Sequence, residues 1–128
     1  MQAKTKKILV ISLITLLIVG VVAALTLFAT RPGKYDTFAK CLKEKGAKFY
    51  GAFWCPHCAN QKKLFGSSAK YLDYIECSTP DAKKQVQLCI DKKIQGYPTW
   101  IFSDGSILNG EVKLEKLAEK TGCSLPKE

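Results

Sequence analysis

The pattern of apolar and polar positions divides the chain in two. Residues 8–30, ILVISLITLLIVGVVAALTLFAT, are 23 in succession without a charge, and as a helix rising about 1.5 Å per residue they span roughly 34 Å. A run apolar on every side has no place inside a small domain, because nothing so small could surround it. A signal peptide is the rival reading, with Val22, Ala23 and Ala24 as a small-residue stretch. Its apolar region commonly runs about 7–15 residues, so the length favours a retained anchor. The expected division is 1–7 as a cytoplasmic amino terminus, 8–30 as a transmembrane helix, 31–35 as a linker around Arg31-Pro32-Gly33, 36–124 as one folded domain and 125–128 as a tail.

Beyond the linker the periodicity changes from element to element. Phe38, Cys41 and Leu42 recur at helical spacing within 36–45, and Gly46 is the stop. Residues 47–53, AKFYGAF, are too few for a helix and read as a buried strand. Residues 56–65 turn helical, with Pro56 in the first turn, where its missing N–H costs nothing, and Gly66 behind. Residues 74–77 read as a second short strand. Thr79 and Pro80 look like a cap and first-turn pair, predicting a helix to about residue 93 whose inner face carries Val86, Cys89 and Ile90. Segments 99–103 and 106–110 flank Asp104-Gly105, a two-residue hairpin signal that makes them antiparallel neighbours. Leu114, Leu117, Ala118 and Thr121 share one face of a last helix, which Gly122 ends. That order predicts an α/β domain in which helices cover both faces of a central mixed sheet.

Composition narrows the function. A hydrophobic share of 47% suits one folded domain, which disfavours disorder and a two-domain enzyme. Lysine and arginine number 20 against 11 acidic residues, a net charge of +9. Lys4, Lys6 and Lys7 precede the apolar run, while Arg31 and Lys34 follow it with Asp36 close behind. This bias puts the amino terminus inside and the domain outside the cytoplasm, as a single-pass protein of the cell membrane. Disulfides persist there, and six cysteines, an even number, fit that side. The pairs Lys62-Lys63, Lys83-Lys84 and Lys92-Lys93 read as solvated helix exteriors, with attraction to anionic lipid beside the anchor as the sharper alternative. No basic and aromatic interleaving or glycine-rich phosphate loop points to nucleic acid or nucleotides.

The chemistry centres on Cys55-Pro56-His57-Cys58, at the end of a strand and the start of a helix. Unpaired amides and the positive end of the helix dipole stabilise an anion there, which makes Cys55 the candidate nucleophile. Two intervening residues let Cys58 reach Cys55, so the pair can close, open and pass its disulfide to another protein. A charged His57 imidazole in the same turn adds to the stabilisation of the thiolate. Stabilising the reduced form raises the reduction potential, which favours a disulfide donor over a reductant. A zinc site completed by Cys77, Cys89 or His57 is the competing reading. The second pair is 12 apart where two close-spaced pairs are usual, so no metal is expected.

Strand, WCPHC and helix, followed some 40 residues later by Tyr97-Pro98 before a hairpin and a last helix, resemble the thioredoxin superfamily across residues 34–124. More narrowly, GAKFYGAFWCPHC, YIEC and GYPTW look like the thioredoxin-like domain fused to bacterial homologues of vitamin K epoxide reductase. The resemblance implies an exposed attacking Cys55, a buried resolving Cys58, and Pro98 as a cis-proline that presents the Tyr97 backbone to substrate. It also implies that Trp54 helps to shape the substrate groove, whereas Trp100 reads as core. The Pro56-His57 dipeptide is that of DsbA-type oxidases, but the chain has no room for the DsbA helical insertion. The superfamily's buried acid is missing too: Phe49 and Tyr50 occupy that strand, and Glu76 is the candidate in its place for moving the Cys58 proton, more readily read as a surface residue.

Four further cysteines allow three pairings. The resemblance favours Cys77 with Cys89, leaving Cys41 and Cys123, which either pair to tie the ends of the domain together or stay unpaired. Because the superfamily's first and last helices lie on opposite faces of the sheet, such a bridge is expected to run around an edge. The expected function is that of an anchored extracytoplasmic oxidase of thiol-containing secreted or membrane proteins, needing no cofactor for the exchange. Its expected partner is a quinone-reducing membrane enzyme of the vitamin K epoxide reductase or DsbB type. A reductase or isomerase, and a redox-inert binding module, are the alternatives.

Overall fold

The computed structural model describes residues 2–29 and 31–127; Met1, Thr30 and Glu128, which bound the expected amino terminus, span and tail, lie outside the described residues. The chain separates into two compact units, Met1–Pro32 and Gly33–Glu128. In the first, α1 (Gln2–Ala29) is one continuous helix. Within Lys4–Ala29 an 18-residue window reaches a mean hydropathy of 3.1, and none of that window is buried. Leucine, isoleucine and valine surround the axis, so the helix has no polar side to turn to water. It is long and apolar enough to cross a bilayer, a property that signal sequences share.

The second unit is built on four strands in the order β2-β1-β3-β4, with β1 at Lys48–Gly51, β2 at Asp73–Glu76, β3 at Thr99–Ile101 and β4 at Ile107–Asn109. β1 runs parallel to β2 and antiparallel to β3, which runs antiparallel to β4. Asp104 and Gly105 form the turn between the last two, with Gly105 at φ +78 and the Asp104 carboxylate accepting from the Ser106 amide at 2.9 Å.

Alternation along β1 divides the core. Phe49 points to one face, where it stacks on Trp100 of the paired strand at 4.9 Å between ring centres. Trp100 leans on Phe65, and Phe65 stacks on Phe38 at 5.9 Å. This cluster draws in α2 (Asp36–Glu44), α3 (Pro56–Phe65) and α5 (Leu114–Thr121) through Phe38, Leu42, Phe65, Leu114 and Leu117. Each such burial contributes about 1.5–3 kcal/mol. Tyr50 points to the other face, where it packs with Cys77, Cys89 and Ile94 under the single short helix α4 (Gln87–Asp91). Helices thus cover both faces unequally, in a thioredoxin-like fold preceded by one apolar helix.

Two expectations need correction. The helix expected from Thr79 to about residue 93 is only α4, and Ile90 remains 49% exposed rather than turned inward. Thr79 closes a turn instead of capping a helix: its hydroxyl donates to the Lys84 carbonyl, its amide does the same, and the Lys84 amide returns a bond to the hydroxyl. These local bonds compete with helix formation and leave a bridge between Ser78 and Gln85. The first and last helices of the domain, expected on opposite faces, feed one cluster, so Cys41 and Cys123 bond directly with Cα atoms 5.9 Å apart.

Candidate active site

Cys55 is the amino-terminal cap of α3, with extended backbone (φ −81, ψ 118) and Pro56 inside the first turn. Its carbonyl accepts the Ala59 amide, while the remaining first-turn amides have no carbonyl a turn earlier to meet. Strand β1 delivers the chain to this point, and the Cys55 amide bonds back to the Ala52 carbonyl at 3.0 Å. Cys58 follows one turn on. Both thiols are free, whereas the other four cysteines form the Cys41–Cys123 and Cys77–Cys89 disulfides.

The two thiols are less unequal in exposure than the resemblance implied. Cys55 is only 6% exposed and Cys58 2%. Cys55 is covered because its sulfur lies against the loop before β3, 3.7 Å from the Tyr97 carbonyl that accepts from it. The Tyr97–Pro98 bond next to it is cis. Trp54 stands over the same loop, 52% exposed, with its ring edge-on to Tyr97 and its Nε1 donating to Ser78 Oγ at 2.9 Å. The fold therefore brings Trp54, Cys55, Tyr97 and Pro98 together from two distant segments. Trp100 lies in the core at 0% exposure.

Burial pushes the Cys58 thiol up to about 12, opposed by the Ala52 amide, reinforced by Cys55 and opposed again by Lys62. It therefore holds its proton at neutral pH. Beyond Cys58 lie Tyr74, which the sequence pattern left out of the site, and Glu76, the acid it offered for the Cys58 proton. Tyr74 on β2 donates to Glu76 Oε2 at 2.7 Å, and Glu76 Oε1 accepts the amides of Phe53 and Ser78 at 3.2 and 2.9 Å. Glu76 is thus no idle surface carboxylate. Burial, then the Glu76 bond and charge, raise the Tyr74 phenol far above its ordinary value. The Lys62 ammonium sits 3.4 Å from the centre of the Tyr74 ring, so this lysine turns inward rather than forming a solvated face with Lys63.

His57 is exposed, and its Nδ1 lies 2.6 Å from Glu111 Oε1, which also accepts from Asn60 at 3.2 Å. His57 first and Asn60 next hold the Glu111 carboxyl below the usual carboxylate range. The loop carrying Glu111 is fixed from both sides. The wholly buried Gln61 side chain donates to the Val112 carbonyl at 2.9 Å and accepts its amide at 2.6 Å. The Gly110 amide donates to the Pro98 carbonyl. Glu111, Gln61, Tyr74 and Lys62 had no motif to mark them, because their neighbours lie up to 54 residues away in sequence. Among the described residues no group of three or more His, Cys, Asp or Glu side chains could hold a metal ion.

No family model matches the chain. The thiol-disulfide oxidoreductase LTO1 of Arabidopsis thaliana is 50% identical to it over 91 residues, covering 68% of this chain and 24% of that protein. A thioredoxin domain-containing protein 5 homolog of Drosophila melanogaster is 33% identical over 87 residues, covering 58% of this chain and 20% of that protein. The chain thus spans a quarter or less of the length of either relative.

Proposed function

We propose that this chain, whose fold and relatives support a place in the thioredoxin-like superfamily, is a membrane-anchored thiol–disulfide oxidoreductase that donates disulfides to proteins outside the cytoplasm. The observation that carries it is Cys55 at the start of α3, backed by buried Cys58 and facing the carbonyl before a cis-proline. In the oxidised pair, a substrate thiolate attacks the Cys55 sulfur and Cys58 leaves as a thiolate. A second substrate thiolate then attacks the substrate sulfur of the mixed disulfide and releases the Cys55 thiolate. The substrate loses two electrons and two protons, and the Cys55–Cys58 pair gains them.

The place of Cys55 at the helix amino terminus argues for donation. Trp54, Tyr97 and Pro98 form the surface on which an extended substrate segment would lie, pairing with the Tyr97 backbone. Two closed disulfides elsewhere in the domain suit an oxidising compartment. The lysines before the apolar run favour an inside amino terminus. A quinone-reducing membrane enzyme, of the vitamin K epoxide reductase or DsbB type, would accept the electrons and restore the disulfide.

The test is the reduction potential of the Cys55–Cys58 pair by glutathione equilibration. A value of roughly −120 to −180 mV supports donation, whereas one near about −270 mV makes the chain a reductant. Cys55→Ser should abolish turnover; a redox-inert binding module would keep its function.

A further inference from the structure

Cys58 must lose a proton each time it attacks a mixed disulfide at Cys55 and regain one each time it is displaced. Its burial disfavours the charged form, and β1 supplies Phe49 and Tyr50 where an acid would serve. The neighbouring strand supplies a different arrangement. A Cβ on Gly51 would lie 2.9 Å from Cys58 Sγ and 3.3 Å from Tyr74 Oη, so sulfur and phenol both crowd the same side of Gly51, an approach that only the missing side chain permits. Tyr74 already directs its hydroxyl proton to Glu76 Oε2, leaving its lone pairs to accept from another donor. Glu76 is half-buried, so water reaches it, and two amides hold its other oxygen in place.

We infer that Tyr74 and Glu76 form the proton path of Cys58, with Gly51 letting sulfur and phenol approach the same stretch of backbone. The inference rests on the dithiol exchange proposed above. In the outward step the Cys58 S–H gives its proton to Tyr74 Oη while the Tyr74 O–H gives its own to Glu76. The products are a Cys58 thiolate, an unchanged phenol and a protonated carboxyl that exchanges with water; no electron moves. The thiolate then forms the Cys55–Cys58 bond as the partner sulfur leaves with its electron pair. Displacement of Cys58 by substrate runs the path backwards. The titratable groups facing Cys58 are Cys55 and Lys62 from α3 and its cap, and Tyr74 from β2, whose hydroxyl leads on to Glu76; Lys62 over the Tyr74 ring favours the thiolate while it exists. Tyr97 presents its carbonyl to Cys55.

Tyr74→Phe keeps the ring that packs edge-on to Phe49 and under Lys62, and Glu76→Gln keeps an oxygen for the two amides. The reduced full chain is reacted with dithionitrobenzoate, and release of the second thionitrobenzoate reads attack by Cys58. In wild type the rate should be flat between about pH 6 and 8; in either variant it should fall about a hundredfold at neutral pH and climb about tenfold per pH unit, as hydroxide replaces the path. Variant profiles that match wild type, or that run parallel below it, would overturn the path while leaving the exchange reading intact. A wild-type chain that keeps thionitrobenzoate bound, as Cys58→Ser must, would overturn both.

Discussion

Removing the Cys41–Cys123 disulfide tests how far this small domain depends on being closed end to end. The bond joins α2 to the residue after the stop of α5, across a sequence separation of 82, and so encloses nearly all of the folded unit. The loop-closure entropy withheld from the unfolded chain corresponds to about 4.5 kcal/mol, against about 3 kcal/mol for the 12-residue separation of Cys77–Cys89. Domains of this size have only about 5–15 kcal/mol of net stability, so the longer bridge accounts for a large share. The double substitution Cys41→Ala, Cys123→Ala is followed by urea unfolding of the detergent-solubilised full chain. Trp100, wholly buried on Phe49, reports the opening of the core without reporting α1. The expected loss is about 3–5 kcal/mol, or a melting temperature lower by roughly 15–30 °C. A loss under about 1 kcal/mol would refute the reasoning, because the packing of α2 and α5 on one cluster would then suffice to hold the ends.

Gly51→Ala would press its methyl group to 2.8 Å from Tyr74 Cε2 and 2.9 Å from Cys58 Sγ, and should cost about 1–3 kcal/mol in thermal unfolding; a neutral result would mean that β1 yields easily. Gln61→Leu strands the buried amide and carbonyl of Val112 and should destabilise by about 2–5 kcal/mol, with His57 exchanging faster in NMR as the Glu111 loop loosens. Because the Cys58 thiol is raised from 9.0 to about 12, its contribution to the reduced state is complete below the unfolded value and is lost as pH climbs toward about 12. The oxidised pair carries no such thiol, so the stability of the reduced relative to the oxidised chain should drop between about pH 9 and 12, and a constant difference in chemical unfolding would contradict this. On the acid side the carboxyls of Asp36, Asp81, Asp104 and Glu111 all lie below their ordinary values. Their stabilisation is present above the unfolded carboxylate range and lost as pH falls through the depressed values, so circular dichroism should place acid unfolding below about pH 4.

The elements legible in sequence were those fixed by local chemistry. An unbroken apolar run identifies α1 because no alternative to a helix satisfies its backbone in an apolar surrounding. Gly46, Pro56, Gly66, Asp104-Gly105 and Gly122 mark turns and helix ends that depend on one or two residues each. The CPHC motif carries its own placement, since a strand before it and a proline within it leave Cys55 at a helix start. Thr79-Pro80 misled because the same residues close a turn or open a helix, and the bridge between Ser78 and Gln85 decides between them.

What remained depends on distances through space. Sequence alone determined an apolar helix, an α/β domain and a cysteine pair at the head of a helix. Only the tertiary structure put Glu111 on His57, turned Lys62 onto Tyr74, packed Tyr74 and Cys58 against Gly51, and brought Cys41 to Cys123. A local motif reports the backbone's own preferences, whereas these contacts arise when the parallel pairing of β1 with β2 and the burial of α2, α3 and α5 on one sheet face bring distant residues together.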